Sequence, residues 1–357
     1  MTGPQAARER SPATPGAEAM RQLMNEGERA ERRGDLVAAG NAYTMAAASD
    51  EPLIAGEAAF RLGRVAWRQG RLDDALELYE RARSRASELN DDELRASAEN
   101  GIGAVHHQRG ALTQAHVSYR IAFDLTRNPT LRGRIYLNLG ALATLEGDVA
   151  QARELYGRSA QAFESVQDNA GLALAMHNLA LLHADAGEWQ EAEEAYNACL
   201  ELSERVADRQ MIASVLLNRV ELFCAHERFD EAMASCARAL TLFTDLGDEA
   251  GRAAVLRWEG QLLRLLGRLD EAEPRLKEVI RIATRLQIAP LEGEAARELG
   301  LVHLALDDTT GATKWLRRAL ARFSMRGANR EAAEVEEHLL AIKNAGQRKV
   351  VGESVGP

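Results

Sequence analysis

A turn-like position recurs along the chain at intervals of roughly 40 residues, and this internal repeat constrains the fold more than any other feature of the sequence. The position is occupied by Gly34, Gly70, Gly110, Gly147, Gly187, Glu227, Gly267 and Asp307. Five residues later every unit has an alanine: Ala39, Ala75, Ala115, Ala152, Ala192, Ala232, Ala272 and Ala312. A period of this length predicts a stack of repeats, because each unit can bury its apolar face only against its neighbours.

The spacing of apolar residues around each turn is helical. Five of the six tyrosines stand nine residues after the turn: Tyr43, Tyr79, Tyr119, Tyr156 and Tyr196. The step of four residues from the alanine to the tyrosine places both on one face of a helix. The stretch before the turn has the same spacing, as in Leu172, Met176 and Leu179. Each unit is therefore predicted to be a helical hairpin.

These hairpins resemble the tetratricopeptide repeat (TPR) over residues 20–326, most clearly in LAMHNLALLHADAGEWQEAEEAYNACLELSERVAD. The long period and the N-L-G and N-L-A strings are similar to the repeats of kinesin light chains and of bacterial TPR sensor and scaffold proteins. The resemblance implies an all-α fold, a right-handed α-solenoid (superhelix) of eight TPR-like hairpins plus a C-terminal capping helix. The sequence departs from the pattern at Arg219 and Val220, which replace a Leu-Gly pair, and at the turn LDDTTGA.

The repeats divide the chain into four expected segments. We expect a disordered tail over 1–19, eight repeats over 20–326, a capping helix over 327–345 and a second disordered tail over 346–357. The predicted capping helix is amphipathic and rich in Glu, as the exposed end of a solenoid requires. Because little sequence lies outside the repeats, we expect any activity to come from the solenoid surface or from a partner that it holds.

Composition and charge argue against several classes of protein. A formal net charge of −10 disfavours nucleic-acid binding, and 5% aromatic residues disfavour an all-β core. No run of about 18 apolar residues occurs, so we expect a cytoplasmic protein that does not cross a membrane. The three cysteines form no C-x-x-C pair and predict no disulfide framework.

Motifs of catalysis and cofactor binding are absent from the sequence, which contains no G-x-x-x-x-G-K-[ST], G-x-S-x-G or H-E-x-x-H. We therefore expect no enzyme activity, no cofactor and no metal. Three histidines share the position four residues before the turn, which indicates repeated packing: His106, His183 and His303. Cys224, His226 and Cys236 are close in sequence, but Cys236 occupies the tyrosine position and is predicted to lie in the core.

Asparagines on the first helix of the hairpins give the candidate binding site. Nine residues before the turn stand Asn25, Asn138, Asn178 and Asn218, with Asn100 displaced by one. In the repeats that this sequence resembles, the first helices line the concave face, and asparagines at this position bind the backbone of an extended peptide. A carboxamide offers both a donor and an acceptor, which matches a peptide bond. The alternative interpretation is that each asparagine bonds a neighbouring helix in a ladder.

The same face carries cationic, aromatic and histidine side chains that complete the predicted groove: Arg61, Arg64, Trp67, Arg68, His107, His177, Arg257, Trp258 and Arg264. Arginine beside tryptophan suits an acidic or aromatic ligand segment. Four carboxylates share the face, so the charge of the ligand stays open: Glu28, Glu57, Glu221 and Glu298.

The expected function is that of a non-enzymatic scaffold or adaptor that binds another protein or peptide in extended conformation. One alternative is a sensor, in which a small molecule or signalling peptide changes the grip of the solenoid on a regulator. Another is a structural oligomer built by end-to-end stacking, which the polar capping helix opposes. The identity of the partner and the oligomeric state stay open.

Two charges interrupt the apolar position that faces the second helix of each hairpin. Arg219 and Glu259 occupy it in consecutive units, where other units have Leu or Ile. Because a single buried charge is costly, we expect an ion pair between them, either direct or through one water. The rival interpretation is that both side chains turn outward to solvent.

Overall fold

Seventeen α-helices and no strand make up residues 15–353, the part of the chain that the computed structural model describes. The expectations for residues 1–14 and 354–357 lie outside this part. The chain divides into two compact units, Met1–Leu182 and His183–Pro357. The division falls within one helix, α9 (Asn169–Asp185).

The first unit contains four helical hairpins and the start of α9. Each hairpin pairs an odd-numbered helix with the even-numbered helix after it, and consecutive hairpins pack together. The eight helices are α1 (Pro15–Arg32), α2 (Leu36–Ala47), α3 (Pro52–Arg68), α4 (Leu72–Leu89), α5 (Asp92–Gln108), α6 (Leu112–Leu125), α7 (Pro129–Glu146) and α8 (Val149–Ser165).

The second unit repeats this arrangement. Helices α11 and α12, α13 and α14, and α15 and α16 pair as hairpins, α10 packs on α11, and α17 packs on α16. The helices are α10 (Trp189–Arg205), α11 (Arg209–Ala225), α12 (Phe229–Asp245), α13 (Glu249–Leu265), α14 (Leu269–Arg285), α15 (Ala289–Ala305), α16 (Thr309–Ser324) and α17 (Asn329–Glu353). The prediction of an all-α solenoid of TPR-like hairpins is confirmed.

The residue at the predicted turn has a positive φ in every hairpin. The angle ranges from 56° at Glu227 and 58° at Asp307 to 78° at Gly147. Glycine adopts this left-handed conformation freely, whereas Glu227 and Asp307 adopt it at a cost of about 1 to 2 kcal/mol each. The turn geometry is therefore kept even where the glycine is lost.

The repeated alanine and tyrosine positions form the core. All eight alanines five residues after the turn are fully buried, and the five tyrosines in phase are at most 3% exposed. Their rings press against small residues of the first helices. A Cβ atom on Gly63 of α3 or Gly101 of α5 would lie 2.9 Å or 2.7 Å from ring carbons of Tyr79. Gly101 thus occupies the place where other units have asparagine, which explains why Asn100 is displaced by one residue.

Helix α6 is shorter than the other second helices of the middle hairpins, with 14 residues against 17 or 18. It ends at Leu125, and the capping residue Thr126 has an extended backbone. The Thr126 hydroxyl donates to Glu93 Oε2 at 2.6 Å, and the amide of Arg127 donates to Glu93 Oε1 at 2.9 Å. One carboxylate from α5 therefore holds the strand-like link into α7.

Three expectations need correction. Helix α1 begins at Pro15, inside the predicted tail, because proline is favoured in the first turn of a helix. Helix α17 continues past the predicted end at residue 345 to Glu353, since no proline interrupts it.

Among the ion pairs of the described residues, none joins Arg219 and Glu259. Glu259 Oε2 lies 3.2 Å from Arg275 Nε of α14, and the Arg219 guanidinium lies 5.0 Å from the centre of the Phe223 ring.

Candidate functional site

A cavity of about 380 Å³ lies on the first-helix face of the first unit, against α3, α5 and α7. Three of the predicted groove residues line it: Arg61, Arg64 and Asn100. The cavity also has an apolar part, formed by Leu53, Phe60, Leu94 and Leu131. Helices α3, α5 and α7 occupy equivalent places in consecutive hairpins, so residues at equivalent positions face the same side.

The arginines of α3 are held by carboxylates of α1 in the hairpin before them and by Glu57 of α3 itself. Arg61 contacts Glu28 Oε1 at 2.5 Å and Glu57 Oε1 at 2.8 Å. Arg64 Nη2 donates to Glu31 Oε2 at 2.6 Å. These ion pairs fix the guanidinium planes and leave further N–H groups available to a ligand.

Glu31 is the centre of this ion-pair group. Its carboxylate also accepts a hydrogen bond from the Tyr43 hydroxyl at 2.8 Å, and Arg68 Nη1 lies 3.8 Å away. Burial acts to raise the pKa of Glu31, but the hydrogen bond and charge of Arg64, with Tyr43 and Arg68, outweigh burial and lower it. Glu31 is therefore ionised at neutral pH.

The asparagines make two different contacts. Asn138 Nδ2 of α7 donates to Asn100 Oδ1 of α5 at 3.0 Å, which joins consecutive hairpins. Asn178 Nδ2 donates to the Leu174 carbonyl of its own helix at 2.9 Å. The ladder interpretation therefore describes the pair Asn100–Asn138. A carboxamide has four hydrogen-bonding positions, so one ladder bond leaves others for a ligand.

The remaining members of the predicted groove in the first unit differ in exposure. Asn25 and Arg68 are exposed, and Trp67 is 36% exposed. His107 and His177 are half-buried. Burial lowers the pKa of both histidines, which favours neutral imidazoles at pH 7.

The predicted groove residues of the second unit are occupied by contacts within that unit. Arg257 Nε lies 3.3 Å from Glu294 Oε2, and the Arg257 guanidinium covers the half-buried Trp258 ring at 3.7 Å. Burial lowers the pKa of Arg257. Arg264 Nε donates to the buried Glu298 Oε2 at 2.9 Å. Asn218 is half-buried on α11. The arginines of this face link consecutive hairpins.

Sequence reasoning missed Arg134, which lines the cavity from α7. Arg134 is exposed and, among the described residues, has no ion pair or side-chain hydrogen bond. It stands four residues before Asn138, so the helical spacing already placed both residues on one face. The cavity therefore combines an unpaired cation, an amide and apolar side chains.

Two histidines lie beside carboxylates, and Cys199 and Cys236 are buried. His183 Nδ1 and Glu188 Oε2 are 2.5 Å apart, and His303 Nδ1 and Asp308 Oδ2 are 2.9 Å apart. Within residues 15–353, no group of three or more His, Cys, Asp or Glu side chains is arranged to hold a metal ion. Over the same range, no helix has the length and apolarity that a membrane span needs.

Comparison with known proteins shows the family. The sequence profile of the tetratricopeptide repeat matches residues 55–128, 131–205, 211–285 and 251–325. Comparison with the sequences of curated proteins gives no match.

Solved structures with similar folds include a Rap protein complexed with Competence and Sporulation Factor, at 12% identity, with 92% of this chain and 98% of that chain covered and a TM-score of 0.59. BtubC from P. vanneervenii has 22% identity, with 60% of this chain and 92% of that chain covered and a TM-score of 0.54. A signal transduction ATPase with a tetratricopeptide repeat sensor from Pyrococcus horikoshii has 13% identity, with 90% of this chain and 54% of that chain covered and a TM-score of 0.63. At identities this low, the similarity shows a shared fold and nothing more. The profile covers most of the length of this chain, and the chain therefore belongs to the tetratricopeptide repeat family.

Proposed function

We propose that the chain is a non-enzymatic interaction scaffold whose first unit holds an extended segment of a partner protein against α3, α5 and α7. The observation that carries this proposal is the cavity where the Asn100 amide and the unpaired Arg134 guanidinium meet the side chains of Phe60 and Leu94. An amide bonds peptide backbone, apolar side chains bury apolar side chains, and an unpaired guanidinium binds a carboxylate.

The rigidity of the cavity walls supports this function. The carboxylates of Glu28, Glu57 and Glu31 fix Arg61 and Arg64 before any ligand arrives. Pre-organised side chains lose less conformational entropy on binding, which favours affinity. The volume of about 380 Å³ also falls in the range of about 300 to 1,000 Å³ that is typical of ligand pockets.

Folds of this family typically serve as interaction scaffolds. Two of the similar folds add support: one was solved in complex with Competence and Sporulation Factor, and another contains a tetratricopeptide repeat sensor. The second of these supports the sensor as the alternative function. A sensor changes shape when its ligand binds, whereas a scaffold keeps its shape.

The experiment is selection of peptides from a random library on the full chain, followed by calorimetric titration of the selected peptide. The test variant is Asn100→Ala with Asn138→Ala and Arg134→Ala. We expect at least a tenfold loss of affinity, or about 1.4 kcal/mol, because the triple variant removes the Asn100 and Arg134 side chains that line the cavity and the Asn138 amide that is bonded to Asn100. A matched control is Asn197→Ala, which changes an exposed asparagine on the second helix of another hairpin.

Thermal unfolding distinguishes binding from folding in this experiment. The triple variant should unfold near the wild-type midpoint, since its side chains are half-buried or exposed. Equal affinity of the wild type and the triple variant would contradict the proposal. A change in sedimentation coefficient on peptide binding would favour the sensor over the scaffold.

A further inference from the structure

Two positions of the hairpin form an ion pair in the last two repeats and carry two arginines in the fourth. One position lies fifteen residues before the turn and the other eleven residues after it. In the seventh repeat, Arg252 Nη1 lies 2.9 Å from Glu278 Oε1. In the eighth repeat the charges are reversed, and Arg318 Nη2 lies 2.8 Å from the buried Glu292 Oε1. The fourth repeat has Arg132 and Arg158 at these positions.

The two arginines belong to a cluster with two aromatic rings, which we call the arginine–aromatic cluster: Phe123 of α6, Arg132 and Tyr136 of α7, and Arg158 of α8. The Arg132 guanidinium lies 4.4 Å from the centre of the Phe123 ring. The centres of the Phe123 and Tyr136 rings are 5.2 Å apart, and the Arg158 guanidinium is 5.9 Å from the Tyr136 ring. The four side chains thus form a continuous surface across three helices.

This surface lacks a carboxylate between its arginines. Arg132 has no ion pair among the described residues, and its Nε atom is buried without a hydrogen-bond partner. Arg158 pairs with Glu154 at 2.5 Å, but both side chains are more than half exposed. Exposed pairs one helical turn apart contribute about 0.3 to 0.5 kcal/mol, so Glu154 is readily displaced.

The surrounding sequence is basic although the whole chain is acidic. Residues 110–145 contain four arginines and one carboxylate, Asp124, in a chain with a formal net charge of −10. The four are Arg120, Arg127, Arg132 and Arg134. The cluster therefore attracts negative charge, and its composition of arginine, tyrosine and phenylalanine is typical of residues that dominate binding energy in protein interfaces.

We propose that the arginine–aromatic cluster is a docking site for an acidic segment of a partner protein, with an Asp or Glu carboxylate bridging Arg132 and Arg158. The eighth repeat contains the same kind of contact within the chain, because the Glu292 carboxylate is held by both Arg318 and Arg322, the latter at 2.9 Å. Neither Arg132 nor Arg158 lines the cavity on α3, α5 and α7. This site is thus separate from the one proposed above.

The test is fluorescence anisotropy of the full chain with a labelled peptide of ten glutamates, using a peptide of ten glutamines as the uncharged probe. The wild type should bind the glutamate peptide and not the glutamine peptide, with an affinity that falls as salt is raised. Arg132→Gln should bind the glutamate peptide about tenfold more weakly. The matched control Arg252→Gln, at the equivalent position of the seventh repeat, should bind within about twofold of the wild type, since Glu278 already occupies that arginine.

A charge reversal separates loss of binding from loss of folding. Arg132→Glu places a carboxylate opposite Arg158, which reproduces the arrangement of Glu292 and Arg318. This variant should lose binding and yet unfold at the wild-type temperature or above it. The double variant Asn100→Ala with Asn138→Ala, which keeps Arg134, should bind the glutamate peptide as the wild type does, which keeps this test independent of the function proposed for the cavity.

Three results would overturn the proposal. The first is equal binding of the glutamate peptide by the wild type, Arg132→Gln and Arg132→Glu. The second is stronger competition by a phosphoserine peptide of the same length than by the glutamate peptide, which would assign the site to phosphate. The third is concentration-dependent dimerisation of the wild type that Arg132→Glu abolishes in sedimentation, which would make a second copy the occupant.

Discussion

Replacing Gly251 by alanine should destabilise the second unit, although alanine is the better helix former. Gly251 lies in the first turn of α13, against the ring of Phe243 at the end of α12. A Cβ atom at this glycine would lie 2.5 Å from Phe243 Cε1 and 2.8 Å from Cγ. The ring is 2% exposed, so it has little room to move away.

The magnitude follows from two opposing effects. Overpacking a buried contact costs about 1 to 3 kcal/mol, whereas exchanging glycine for alanine within a helix gains about 0.5 to 1 kcal/mol. We expect a net loss of about 1 to 2 kcal/mol in the free energy of unfolding. Gly157→Ala in α8 is the matched control, because nothing lies within 4 Å of its Cβ position. Gly157→Ala should therefore show only the stabilisation of about 0.5 to 1 kcal/mol that comes from exchanging glycine for alanine within a helix.

The next repeat supplies a rescue. Its equivalent positions hold Ala283 and Leu291, so the small and large residues are exchanged. Phe243→Ala alone should cost about 3 to 5 kcal/mol because it leaves a cavity. Adding Gly251→Leu should restore about 1 to 3 kcal/mol by filling that cavity.

Urea unfolding followed by far-ultraviolet circular dichroism measures these free energies. Because the chain has two units, the transition must be fitted with a separate step for each if the curves show two. Additive effects of Phe243→Ala and Gly251→Leu would refute the steric reasoning. So would a stabilisation by Gly251→Ala as large as that by Gly157→Ala.

Three further predictions concern capping and buried charge. Asp148→Ala should cost about 1 kcal/mol in urea unfolding, because Asp148 Oδ1 accepts the Gln151 amide hydrogen at 3.0 Å, and Asp148→Asn should retain most of that stability. Glu292→Gln should cost about 1 to 3 kcal/mol, since it weakens the charge-assisted bond from Arg318, and a thermal midpoint equal to the wild type would contradict this. The backbone hydrogen bond from the first turn of α16 lowers the pKa of Asp308, so its contribution to stability is complete above the unfolded pKa near 4 and is lost as the pH falls through the lower folded value. Asp308→Asn should therefore flatten the dependence of unfolding on pH between about pH 5 and about pH 2, and an unchanged slope would count against it.

The repeat architecture could be predicted from the sequence because it depends on short-range spacing. The fully buried alanines and the positive φ angle at each turn stand where the period placed them. Helical periodicity decides which residues share a face, and the steric needs of a tight turn select glycine. The family profile confirms the resemblance drawn from these positions. For the candidate site, the helical spacing of the sequence indicated which helix face carries Asn100, Asn138 and the arginines of α3.

The pairing of charged side chains was decided by tertiary structure. Glu259 contacts Arg275 of its own hairpin, and Arg219 packs on Phe223, so the direct ion pair expected between consecutive repeats does not form. Sequence spacing fixes a side chain's direction to within a helix face, but a long arginine or glutamate reaches several partners on different helices. The same freedom leaves Arg134 unpaired in the cavity while Arg257 is covered by its neighbours. Local periodicity therefore determines the hairpins, whereas the packing of helices distant in sequence determines which polar groups are paired within the chain and which are open to a ligand.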